Sequence, residues 1–146
     1  MFSFTDRFDR LTSGHMTLQI IEKVPAGPDG LPFYFYDILT GGQPVGKISI
    51  RVGGNFHTYY NGNIGYEVDE PHRGHGYAQA ACRMVLPVAR YHGMTALYLT
   101  CAEGSIASRR TIEHLGAEFL ETCPVPGEYF AWREGMERQR IYRLAI

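Results

Sequence analysis

The 146-residue sequence has almost no charge imbalance, few cysteines and no long apolar run. Lysine and arginine number 14 against 15 aspartates and glutamates, a formal net charge of −1. No cationic surplus exists to neutralise a phosphate backbone, so sequence-independent nucleic-acid binding is not expected. A local basic patch around Arg73, Arg109 and Arg110 stays available. Three cysteines, Cys82, Cys101 and Cys123, cannot all pair within one chain, and none stands at CxxC spacing. The expectation is reduced thiols in a cytoplasmic protein; Cys101, at the end of a strand, reads as a packed core cysteine rather than a catalytic thiol. No stretch reaches the roughly 18 apolar residues of a membrane span, and no basic segment followed by an apolar one opens the chain. Neither spanning nor secretion is expected, and no metal-ligand spacing occurs.

What is present suits one domain over residues 1–146. A hydrophobic content of 45% and a charged content of 20% are ordinary for a globular protein, and a chain of this length buries roughly 68–70% of the surface its unfolded form exposes. Phe4, Phe8 and Leu11 are spaced by four and three, which predicts a short packing helix before His15. Met16 to Val24, Phe33 to Thr40, Val45 to Val52 and Asn63 to Val68 read as strands, the middle two joined as a hairpin across Gly41-Gly42-Gln43-Pro44. Pro25 to Pro32 is a turn-rich connector. A helix follows from about Gly76 to His92, with an expected kink at Pro87. Thr95 to Cys101 is a buried strand, Ser105 or Ser108 caps a second helix that Gly116 ends, and Ala117 to Cys123 and Arg138 to Ile146 close the chain as strands.

The chemistry concentrates in Tyr66 to Ala78, a strand, a glycine-spaced loop and a helix start. Such a loop leaves several N–H groups pointing into one concavity, where the helix dipole adds its positive end, and the product is an anion site. Gly74 and Gly76 allow close backbone approach, and Arg73 adds a fixed charge. A Walker loop would need Lys-Ser/Thr after the last glycine, where Tyr77-Ala78 stands, and a dinucleotide fingerprint would need a third glycine position and a later carboxylate.

Arg73-Gly74-His75-Gly76-Tyr77-Ala78 matches the Arg/Gln-x-x-Gly-x-Gly/Ala signature, and Ser105 to Phe119 matches the second helix and the glycine step after it. On these residues the segment from about Lys47 to Phe119 resembles the GNAT superfamily of acetyl-CoA-dependent N-acetyltransferases, nearest in pattern to the ribosomal-protein and aminoglycoside type. The resemblance implies an α+β fold, with a mixed, mostly antiparallel central sheet flanked by helices. It implies acetyl-CoA as co-substrate, with Val68 pairing to the pantetheine arm and Arg73, Gly74, His75, Gly76, Tyr77 and Ala78 taking the diphosphate. Ser105 stands where relatives place an asparagine, and Ser108 and Arg110 are candidates to reach the coenzyme.

The family usually inserts two helices between its first and second strands as a wall for the acceptor. Here about eight residues, Pro25 to Pro32, stand in their place. The N-terminal arm, His57 to Tyr60, Pro124 to Glu137 or the second subunit of a homodimer would have to supply it. The implied reaction is direct attack by a primary amine of a small molecule or a protein. Deprotonating a lysine-like amine at pH 7 costs about 4.6 kcal/mol, and an α-amino group only about 1. Glu67 leads the candidate bases, followed by His72, His75 and a water relay from Tyr66 or Tyr60. The tyrosine that many relatives use to protonate the leaving thiolate falls on Ile112, which leaves Tyr142 as a substitute or as a buried sheet residue. The alternative function is a coenzyme-binding sensor or partner subunit with reduced catalysis.

Overall fold

The computed structural model describes residues 1–146. Along the chain come β1 (Arg10–Ser13), β2 (Met16–Val24), β3 (Phe33–Thr40), β4 (Gln43–Arg51), α1 (Phe56–Asn61) and β5 (Ile64–Val68). A 3-10 turn (Glu70–His72) leads to α2 (Tyr77–Tyr91), β6 (Ala96–Ala102), α3 (Ile106–His114), β7 (Glu118–Cys123) and β8 (Gln139–Ala145). Every ladder is antiparallel, and the strands form two sheets, β1-β2-β3-β4-β5 and β6-β8-β7. The α+β class holds, and the expected single mixed sheet is divided between β5 and β6.

Period-2 alternation selects the core. Tyr34, Tyr36 and Ile38 of β3 and Ile48 and Ile50 of β4 turn to one face, where Ala81, Val85, Val88 and Ala89 of α2 cover them. Leu97, Leu99 and Cys101 of β6, Ile112 of α3 and Tyr142 of β8 continue the same core. Pro87 lies inside α2 without ending it.

The N-terminal segment corrects the helical expectation. Residues 10–13 pair with β2, Leu11 opposite Leu18, across a turn in which Gly14 takes φ +59°. Ladder bonds to the edge of β2 outweigh a helix too short to be stable by itself. Phe4 still packs edge-on against Tyr34, and Phe8 against Tyr91 at the end of α2. Beside them the Tyr34 hydroxyl is hydrogen-bonded to His92 Nε2 at 2.7 Å and accepts from the Thr5 N–H.

Between β2 and β3 there is no helix pair. Asp29, 3% exposed, fastens the short connector instead: its carboxylate accepts from Arg51 Nε at 2.9 Å, Asn61 Nδ2 at 3.3 Å and the Leu31 N–H at 3.0 Å. Asn55 Nδ2 donates to the Asp29 carbonyl, and the Asn55 side chain caps α1 in a reciprocal box with Thr58.

One residue joins the two sheets where β5 and β6 begin. Asn63, 2% exposed, donates its backbone N–H to the Tyr98 carbonyl (2.7 Å) and accepts the Tyr98 N–H on Oδ1 (3.0 Å). Its Nδ2 donates to the carbonyls of Arg51 (3.0 Å) and Gly53 (2.8 Å). No ladder continues between β5 and β6 beyond it. Substituting Asn63→Leu removes three side-chain bonds of about 1 kcal/mol each and strands their buried partners. Urea denaturation is expected to show a loss of about 3 kcal/mol or more. Burial holds the His92 imidazole below its ordinary value. A base whose folded pKa lies below its unfolded one contributes fully above the unfolded value of about 6.5 and loses that contribution as pH falls from there through the folded value. The midpoint for unfolding should therefore decline below about pH 6.5, and His92→Gln should flatten that decline.

Candidate functional site

β5 ends in a cleft because it has a partner on one edge only. The bonds from Arg51 N to the Asn63 carbonyl and from Asp69 N to the Val45 carbonyl fix the phase of the β4–β5 ladder. Gly65 and Glu67 therefore turn their backbone polar groups to β4, and Tyr66 and Val68 turn theirs to the gap before β6. Gly46, opposite Val68, matters to this geometry: a Cβ there would fall 2.2 Å from the Glu67 carbonyl oxygen. Its absence lets the end of β5 lean on β4.

Past Val68 the chain makes a 3-10 turn and then a loop in which Gly74 and Gly76 adopt φ +85° and +74°. Gly76 is the N-cap of α2 and has no side-chain capping bond. The Arg73 N–H reaches the Glu70 carbonyl at 3.3 Å, and the next loop donor with a protein acceptor is Ala80, bonded to the Gly76 carbonyl. The N–H groups of Gly74, His75, Gly76, Tyr77, Ala78 and Gln79 have no protein acceptor. Six successive free donors at the positive end of a 15-residue helix form an anion nest.

These groups border a cleft of about 700 Å³. It is lined from β5 by Tyr66, Glu67 and Val68, from the loop and α2 by His72, Arg73, Gly74, Gly76, Tyr77, Ala78 and Gln79, and from α3 by Ser105, Ser108, Arg110, Thr111 and His114. Nine of the ten coenzyme residues named from sequence thus border one cavity; His75 does not, its ring stacking on Tyr77 while Nδ1 donates to the His72 carbonyl. Arg73 ties the loop to β5 by donating from Nε to the Val68 carbonyl at 2.9 Å. Ser105 is the N-cap of α3 without making a side-chain cap bond, so its hydroxyl is free toward the cleft.

The two catalytic candidates part company. Glu67 is exposed on the face of β5 opposite Tyr66, in a cross-strand row with Lys47 and Asp37, and Lys47 Nζ bonds Asp37 Oδ1 at 2.8 Å. Tyr142 is 0% exposed and outside the cleft; its hydroxyl accepts from Arg140 Nε at 2.9 Å and donates to Glu113 at 3.5 Å. Cys101, 6% exposed, does not line the cleft, and burial raises its thiol above the usual range. Burial pushes the Cys82 thiol up to about 12. Neither thiol is placed as a nucleophile. No group of three or more His, Cys, Asp or Glu side chains comes together as a metal site, and no helix is long and apolar enough to cross a membrane.

On the face of β6 away from α2 and α3, the Tyr59 ring packs against Tyr98 at 5.2 Å and its hydroxyl donates to the Glu121 carboxylate. The Phe130 N–H donates to His57 Nδ1 at 3.3 Å, and the Tyr129 ring meets those of His57 and Tyr60. Two of the proposed wall segments, α1 and the loop 124–137, therefore meet on the outer face, which also carries Glu67. The N-terminal arm packs elsewhere, against the end of α2. Asn63 and Asp29 were not singled out as site-forming from sequence, because an asparagine beside glycine and an aspartate in a turn are what any surface loop carries.

Comparison with solved structures gives the same architecture. A Salmonella typhimurium acetyltransferase that modifies the N-terminal serine of ribosomal protein L7/L12 superposes with a TM-score of 0.62 at 17% identity, over 78% of this chain and 64% of that one. An assigned ribosomal-protein-serine acetyltransferase from Vibrio cholerae gives 0.67 at 13% identity, over 94% and 97%. RimL, the ribosomal L7/L12 α-N-protein acetyltransferase, in complex with coenzyme A, gives 0.62 at 17%, over 78% and 62%. The chain thus spans just under two thirds of the Salmonella protein and of RimL, and at these identities the likeness establishes the fold. A comparison with curated protein sequences returns no match. The sequence profile of the acetyltransferase (GNAT) family matches residues 5–117, more than three quarters of the 146 residues. With that match, the glycine loop and the parted strands, the chain belongs to the acetyltransferase (GNAT) family.

Proposed function

We propose that this protein transfers the acetyl group of acetyl-CoA to a primary amine, and that its acceptor is the α-amino end of a polypeptide. The observation that carries the reading is the run of six free N–H groups, Gly74 to Gln79, at the mouth of the cleft. Those donors and the Arg110 guanidinium suit a diphosphate, and the free edge of β5 at Tyr66 and Val68 suits the amide-bearing pantetheine arm as an added strand. The bound coenzyme supplies an activated thioester.

This chain's residues then do the remaining work. The free Val68 N–H is a donor for the thioester carbonyl oxygen, where negative charge develops; one such donor is typically worth about 2.7–4 kcal/mol. Holding amine and thioester together contributes roughly 7–11 kcal/mol. Glu67, on the outer face with the α1 and 124–137 wall, takes the proton that the attacking nitrogen loses. That face of β3, β4 and β5 lacks a covering helix pair, and an open face admits the end of a chain more readily than it encloses a small amine. An α-amino group also needs least help to deprotonate, about 1 kcal/mol at pH 7. The named activities of the Salmonella protein and of RimL support the same acceptor class. We place the reaction in the cytoplasm, where three unpaired thiols persist.

A binding-only sensor is the second reading, favoured by Ile112, 1% exposed, at the position where many relatives carry the acid. Thiol release on a panel of peptide N-termini separates the two, since binding without turnover on any amine supports the sensor. Calorimetry with acetyl-CoA is expected to show micromolar binding. Gly76→Val, a β-branched residue at φ +74°, should weaken it at least tenfold with a small change in Tm; retained affinity would overturn the diphosphate assignment. Glu67→Gln should lower kcat by about 10²-fold or more on lysine-like amines and by less on α-amino acceptors, with the coenzyme Kd unchanged.

A further inference from the structure

Outside the cleft, three large rings stand nearly half exposed: Phe56 on α1, and Phe130 and Trp132 on the loop 124–137. Phe56 and Phe130 both pack on His57, with ring centres 5.3 and 5.5 Å away, and Tyr60 and Tyr129 join them. Trp132 is tied to the group by its N–H, which donates to the Tyr129 carbonyl at 3.0 Å. A lone exposed apolar side chain needs no explanation, but a connected group of rings with a polar rim marks a contact surface.

The rim carries charge of one sign in excess. Residues 121–138 hold four carboxylates, Glu121, Glu128, Glu134 and Glu137, against the guanidinium groups of Arg133 and Arg138. Arg138 spends Nη2 on the Thr122 carbonyl at 3.0 Å, and none of the four carboxylates is in a salt bridge. Cations of this chain lie over Phe33, Tyr91, Phe119 and Tyr142, and over no ring of α1 or the loop. Burial, then Cys123, Glu121 and Glu128, raise the Tyr60 hydroxyl above its ordinary value, and no cation counters them. Ring faces and unpaired carboxylates attract the same thing, a positive charge. A second copy of this chain does not supply it, because a twofold contact here would set the same carboxylates against each other.

The position within the fold says where that charge belongs on an acceptor. α1 rests on β6 at Tyr98, the residue pinned to Asn63. Asn63 precedes Val68 by five residues, roughly 16 Å of strand at about 3.3 Å per residue. An extended acceptor whose amine is at Val68 covers that distance in about five of its own residues. We propose that the aromatic surface of α1 and the loop 124–137 binds the acceptor polypeptide through lysine or arginine side chains at about its fourth to seventh residues, and so selects basic N-terminal segments. The assignment rests on the α-amino acceptor reading above.

Trp132 is the sole tryptophan, so its fluorescence reports occupancy of this surface without requiring turnover. The protein with coenzyme A bound is titrated with two peptides that share their first three residues and carry either lysine or glutamate at the next four. The lysine peptide is expected to change the Trp132 emission saturably and to bind at least about tenfold more tightly than the glutamate peptide, a margin that shrinks as salt rises from about 50 to about 500 mM. In thiol release the same preference should stand in KM rather than in kcat. Glu128→Lys should reduce the preference by about threefold or more, and Phe130→Ala should weaken the lysine peptide by a similar factor, both with the coenzyme A Kd unchanged. Equal affinity for the two peptides, an emission that neither peptide moves, or an unaltered preference in Glu128→Lys would overturn the proposal. An emission that follows protein concentration instead would give the surface to a second copy and overturn it too. Turnover of both peptides at equal KM would reject the basic selection while leaving the acceptor reading intact, whereas turnover of a small amine and of neither peptide would overturn both.

Discussion

The architecture depends on two strands that are held at one end and released at the other. Asn63 supplies the hold. It engages both backbone polar groups of Tyr98 and satisfies two carbonyls at the end of β4. Being buried, it cannot exchange those partners for water without a desolvation cost. Beyond it β5 stays with β4, helped by the missing Cβ of Gly46, and β6 stays with β8. The gap exposes backbone donors and acceptors that a folded chain normally pairs, a condition that is stable only when solvent or a ligand completes them.

The glycine loop extends the same economy. A helix start ordinarily covers its first donors with a capping side chain. Here Gly76 offers none, and the left-handed turns at Gly74 and Gly76 spread the uncovered donors along a curved surface. Free N–H groups thus stand at the open edge of β5, on Tyr66 and Val68, and again from Gly74 to the first turn of α2, with Asp69 bonded to Val45 and the turn at residues 70–73 between them. One extended molecule with amides at one end and phosphates at the other matches that succession.

On the opposite face the chain economises on covering structure. Eight residues connect β2 to β3 where relatives place two helices, and Asp29 compensates by fastening the connector to Arg51, Asn55 and Asn61. That network also fixes α1, which meets the loop 124–137 through His57 and Tyr129. The wall over that face of β6 is therefore built from segments distant in sequence. Its openness over β3 to β5 follows from the short connector.

The sequence by itself determined the strands with period-2 burial, the glycine loop before α2, the anion nest and the residues that border it, because each is a local pattern within a dozen residues. The N-terminal segment shows the limit: its spacing of four and three suits a helix, and only the available edge of β2 decided for a strand. Tertiary structure alone decided that Asn63 is the pin between the sheets and that Tyr142 is sealed in the core. It also decided that Tyr66 ends beside α3 with its hydroxyl closed to solvent. These three are settled by which groups lie across from one another after folding, and a buried polar residue acquires its role from partners that spacing along the chain does not reveal.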